Sequence, residues 1–161
     1  MKRFTVVGWL CAGVVGSLSF WLFQILTGDS TIPQFMGEQI AAQGGYAARW
    51  APLIGWGVHL GVSLSYALLF AVIIAVLPTR SSAATLGAGL ILAAVLGWIT
   101  TLLTTPAITA TIRILSGQGF PAELPGLNTG GDLPLYNHLL FFGVVWVFTA
   151  LVPALVWPPG D

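Results

Sequence analysis

Charge is the scarcest commodity in this chain. Five Lys and Arg and five Asp and Glu are spread over 161 residues, 6% of the total, against roughly 25% in an ordinary soluble domain. Hydrophobic residues make up 57% and mean hydropathy is +0.93. One small core cannot bury that much apolar surface, so most of it must meet lipid or other membrane subunits. A water-soluble globule is excluded.

Other absences narrow the function. No Lys/Arg cluster exists beyond Lys2-Arg3, which removes the electrostatic footprint of a nucleic-acid partner and of a polybasic lipid tract. Cys11 is the only cysteine, so an internal disulfide, a CxxCH haem attachment and any multi-thiolate metal or iron–sulfur site are excluded; Cys11 itself reads as a small buried residue. There is no GxSxG, HExxH, Walker loop or GxGxxG. The chain reads as a non-enzyme.

What is present is an all-α pattern in one membrane domain over residues 1–161. Residues 4–27, 52–77, 83–105 and 137–157 are each free of Asp, Glu, Lys and Arg and near the ~20 residues that a helix needs to cross a ~30 Å hydrocarbon core. The pattern predicts a four-transmembrane-helix bundle with two long, structured outer loops. The first run is longer than the apolar core of a typical signal peptide and reads as an uncleaved anchor. Lys2, Arg3 and Arg80 on one side outnumber Arg49 and Arg113 on the other. Both termini are therefore expected in the cytoplasm, the chain being a multi-pass protein of the bacterial inner membrane.

The breaks and stripes carry further information. Ser81 and Ser82 can cap the third helix, and Pro106 should kink a helix that continues through 107–115. Residues 33–43 place Phe35, Met36 and Ile40 at helical spacing, as in a short helix lying on the membrane surface. Small residues recur every fourth position at Gly8, Ala12 and Gly16, at Gly57, Gly61 and Ser65, and at Gly89, Ala93 and Gly97. Such stripes let backbones approach closely in lipid, within the chain or against another subunit. Aligning the second and fourth helices on His59 and His138 brings Pro78 and Pro158 within one residue of register, which reads as two repeated helical hairpins.

His59 and His138 are the only imidazoles. His59 is placed ~10 Å into its helix and His138 at the helix mouth. Trp56, His59, Ser63, Tyr66 and Phe70 share a helical face opposite the Gly57/Gly61/Ser65 stripe. That face suits an axial ligand for haem b or chlorin, with carotenoid and bound lipids as further occupants, and His59, His138, Tyr66 and Trp56 are its candidate residues. The bland reading has His59 bonded to a loop carbonyl or a neighbouring helix and His138 capping its own helix. The differing depths argue against one metal binding both. The remaining membrane polar residues are uncharged hydroxyls and Gln24, the hydroxyls bonding to their own backbone, so ion-coupled transport has no ionisable group to use other than His59. Trp21, Trp50, Trp56 and Trp157 fit an interfacial belt, and Phe141, Phe142, Trp146 and Phe148 read as a lipid or subunit interface.

At Ile32-Pro33-Gln34-Phe35-Met36-Gly37 after the first span, and at His59 and His138 near the starts of the second and fourth, the chain resembles small uncharacterised four-helix membrane proteins of bacteria. The resemblance covers most of the chain and implies a fold; it carries no catalytic residue. The expected function is a non-catalytic accessory or scaffolding subunit of a larger bacterial complex of respiratory or photosynthetic electron transfer. Its partners would be other integral membrane subunits, lipids, and an extracytoplasmic domain or electron carrier on the outer loops. The alternatives are a haem- or pigment-binding electron-transfer subunit using His59 and His138, and a small passive pore or carrier.

Overall fold

The computed structural model describes residues 6–28, 30–79 and 81–151, and the Lys2, Arg3, Arg80, Trp157 and Pro158 readings lie outside them. Among the described residues the fold is helical throughout, with no strand. The helices are α1 (Val6–Thr27), α2 (Ile32–Gly44), α3 (Ala51–Val76), α4 (Ser82–Leu115) and α5 (Leu133–Trp146), the last running into a π turn at Val147–Leu151. Helices α1, α3 and α4 are long and apolar enough to cross a membrane, and α5 is shorter but equally apolar. Such helices suit a bilayer, where no water takes backbone groups and a continuous helix satisfies its own.

Ser81 caps α4 as the sequence predicts, its Oγ accepting from the Ala84 amide at 3.2 Å. Helix α4 runs 34 residues straight through Pro106, about 51 Å at 1.5 Å per residue, and so overshoots a ~30 Å hydrocarbon core. The connection that follows turns back along it. Proline has no N–H, so the carbonyl four residues earlier, Leu102, loses its helical donor. The Asn128 amide supplies the replacement at 3.0 Å, which pins the 116–132 loop to the flank of α4. Pro106→Ala restores the competing helical donor, and the Asn128 amide is expected to exchange with solvent about tenfold faster in hydrogen–deuterium exchange, the equivalent of ~1.4 kcal/mol.

The first outer connection is built around α2. Gln24, buried on α1, accepts from the Ile32 amide at 2.9 Å through its side-chain oxygen. Thr31 Oγ1 accepts from the Gln34 amide, and Gly45, at φ +68°, closes the helix in the left-handed region. Helix α2 forms as the sequence predicts, and it lays one face on its neighbours. Pro33, Met36, Gly37, Ile40 and Ala41 are buried, with Met36 and Ile40 against Ile54 and Val58 of α3 and Ile108 and Ile112 of α4, while Phe35 points outward. The cause is a glycine crossing: a Cβ on Gly37 would land on the Ala51 carbonyl, and one on Gly55 on the Pro33 carbonyl. The two outer connections also join each other. Tyr46 Oη donates to the Leu115 carbonyl at 3.2 Å and Gln118 Nε2 reaches the Gln43 carbonyl at 3.4 Å.

The main core lies between α1, α3, α4 and α5 and contains Ala12, Phe20, Ala67, Phe70, Ala93, Leu96, Phe141, Phe142 and Val145. Two of the three small-residue stripes are filled from within the chain. Gly16 receives the Phe141 ring, Gly89 the Trp146 indole and Gly97 the Leu139 side chain. Phe141, Phe142 and Trp146 therefore belong to the internal packing and not to an outer interface, and the Trp146 indole also donates to the Leu86 carbonyl at 3.2 Å. Cys11 is another correction: it is exposed, because α1 turns Ala12, Gly16, Phe20 and Gln24 inward and leaves Leu10, Cys11, Val14 and Leu18 on its outer face.

Candidate functional site

The candidate residues converge on one aromatic ring. Phe20 of α1 lies with its centroid 5.4 Å from that of His59 on α3 and 5.4 Å from that of His138 on α5. Trp56 extends the group, 5.8 Å from His59 and 5.6 Å from Trp21. Tyr66 lies further along the same face of α3 and packs on Phe141 and Phe142. The shared face of Trp56, His59, Ser63, Tyr66 and Phe70 is thus turned into the bundle, with His59, Ser63 and Phe70 buried.

Each imidazole is tied to a backbone carbonyl. His59 Nε2 lies 3.2 Å from the Ser17 carbonyl of α1, and since a carbonyl only accepts, the hydrogen sits on Nε2. This is the neighbouring-helix bond of the bland reading. His138 Nδ1 donates to the Pro134 carbonyl at 2.7 Å, in the first turn of its own helix, with Thr101 Oγ1 3.3 Å away. The sequence places His138 at the mouth of its helix; α5 instead begins at Leu133, so His138 stands in its second turn. The expected difference in depth disappears, as both imidazoles reach the same phenyl ring. What separates them is Phe20, lying between two rings that would have to meet at one ion.

The threonines of α4 bond back to their own helix. Thr100 Oγ1 donates to the Leu96 carbonyl at 2.7 Å, Thr101 to Gly97 at 2.8 Å and Thr104 to Thr100 at 2.9 Å, each satisfying itself on its own helix. Ser17 Oγ and Asn137 Oδ1 are buried with no hydrogen-bond partner among the described residues. Both border the histidines, Ser17 through its carbonyl and Asn137 by preceding His138. Nothing in the sequence signals these two orphaned atoms, because a buried serine hydroxyl ordinarily finds a carbonyl and a buried asparagine oxygen a donor.

No group of three or more His, Cys, Asp or Glu side chains that could hold a metal ion forms among the described residues. No salt bridge involves Glu38, Glu123 or Asp132 among them either, and all three lie exposed. Chemically the arrangement provides two hydrogen-bonded imidazoles clasping an aromatic ring, which fastens α1 to α3 and α5. The third stripe is the exception to internal packing: Gly57, Gly61 and Ser65 are exposed, and a Cβ added to Gly57 or Gly61 would meet nothing within 4 Å. Comparison of the chain with protein-family models, with curated proteins and with solved structures yields no match.

Proposed function

We propose that this chain is a non-catalytic accessory subunit of a larger assembly in the bacterial inner membrane, holding a transmembrane helix of another subunit along the outward stripe of α3. The open stripe at Gly57, Gly61 and Ser65 carries this reading. The same chain uses two stripes of the same kind to seat its own helices, and in lipid a small-residue face gains its packing energy only when another helix fills it. Large apolar side chains stand outward beside it and on α4, among them Val62, Leu69, Ile91 and Trp98. They suit contact with lipid tails or apolar subunits.

In this reading α5 and its π turn together make a fourth span, 14 and 5 residues long, close to the ~20 that a crossing needs. Both termini then lie in the cytoplasm, and the cap of α2 and the 116–132 loop lies outside. The close pairings of α1 with α3 and of α4 with α5 are those that two hairpins require. Axial ligation of a haem by His59 has weaker support, since the ring nitrogen directed across the bundle already serves the Ser17 carbonyl. A pore assembled from copies would need a polar wall, whereas the exposed faces of α1, α3 and α4 carry mostly Leu, Ile and Val.

Purification in mild detergent tests the proposal. The native chain is expected to elute with another integral membrane polypeptide in fixed stoichiometry. Gly61→Leu is expected to release that partner while leaving the chain's own stability unchanged or raised by up to ~1 kcal/mol, since Leu is the better helix former and the position is open. A native chain that elutes alone, or a Gly61→Leu variant that keeps its partner, contradicts it.

A further inference from the structure

A groove of about 600 Å³ opens beside α2, lined among others by Trp21, Gln34, Glu38, Tyr46 and Trp56. The Trp21 and Trp56 rings meet at 58° with centroids 5.6 Å apart, so the two indole faces form an angled wall. Among the described residues Glu38 is the one acidic side chain in the lining, and no basic side chain lines it. Its carboxylate accepts from Gln34 Nε2 at 3.0 Å and stays exposed, with no salt bridge to a cation among the described residues. Aromatic faces and an unneutralised carboxylate attract ammonium groups and repel anions.

Depth selects the source of that ammonium group. Trp21 lies six residues before the end of α1 and Trp56 five residues after the start of α3, about 8–9 Å inside the helix ends at 1.5 Å per residue. If these helices span the bilayer, that is the level where headgroups meet acyl chains and where tryptophan concentrates. We infer that the groove binds the primary ammonium headgroup of a zwitterionic phospholipid, phosphatidylethanolamine, with the ammonium held between the Trp21 and Trp56 faces and the Glu38 carboxylate. The inference rests on the membrane placement of α1 and α3 and is independent of any subunit on the α3 stripe.

Native mass spectrometry of the full chain, released from micelles holding equal amounts of phosphatidylethanolamine and phosphatidylglycerol, tests it. The ethanolamine lipid is expected to be retained in about fivefold excess, the scale of one partly exposed cation–π and charge contact. Glu38→Gln, a change at an exposed position, is expected to bring that excess close to unity, and Trp56→Phe to reduce it while the fold persists. Equal retention of the two lipids by the native chain, or an undiminished excess in Glu38→Gln, overturns the proposal. Displacement of the lipid by free phosphoethanolamine at millimolar concentration would assign the groove to a soluble amine and overturn it as well. The stripe substitution Gly61→Leu is expected to leave the lipid ratio unchanged, so failure here is distinct from failure of the subunit reading.

Discussion

Gly55→Ala is expected to destabilise the protein by about 3 kcal/mol or more, at or above the upper end of ordinary overpacking. Its new methyl group would strike the Pro33 carbonyl, and the neighbouring atoms are backbone, with Gly37 N 3.1 Å away. Backbone cannot swing aside as a side chain can, so α2 must separate from α3. The matched control is Gly61→Ala on the same helix, where the added Cβ meets nothing; there the better helix former is expected to be neutral or stabilising by up to ~1 kcal/mol. Thermal unfolding in detergent measures both, and amide exchange over Met36 to Ala41 shows whether α2 is the element that leaves. Equal effects of the two alanines would refute the crossing.

Phe20→Ala should be nearly as damaging. The ring is 8% exposed and stands between His59 and His138, so its loss combines the removed transfer energy with a cavity bordered by two polar rings. Large-to-small changes of this type cost about 3–5 kcal/mol. Phe35→Ala, on the outward side of α2, is expected to cost under about 1 kcal/mol by comparison, as exposed positions do. Chemical denaturation of the two variants in one detergent compares them directly. A Phe20→Ala variant as stable as Phe35→Ala would remove the clasp from the account.

Much of this arrangement is legible in the residues. The uncharged apolar runs mark three helices long enough to cross a membrane and a shorter apolar fourth. Ser81 announces the start of α4, the four-residue spacing of small residues points to close helix approach, and the face of Trp56, His59 and Phe70 turns into the bundle as its periodicity implies. The rest depends on contacts between distant segments. Helix α2 announces an apolar face, and only the pairing of Gly37 with Gly55, eighteen positions apart, decides what that face packs against. Pro106 signals that the Leu102 carbonyl lacks a donor, yet no local rule names Asn128 as the replacement. His138 appears shallow because apolar content rises at Asn137, although Leu133 and Pro134 already belong to the helix. Cys11 lies in an apolar run and still faces outward, since periodicity alone does not tell which side of a helix in lipid meets protein.

In the proposed function α3 offers its stripe to a helix of another subunit. A photo-crosslinking amino acid placed at position 61 in growing cells tests this directly, with position 64 as the internal reference because Leu64 packs against Gly13 of α1. The account predicts one adduct of defined mass from position 61 to a separate integral membrane polypeptide, lost when Gly57→Leu is added, and only intrachain products from position 64. Lipid adducts alone at position 61, with no polypeptide partner in intact membranes, would contradict it.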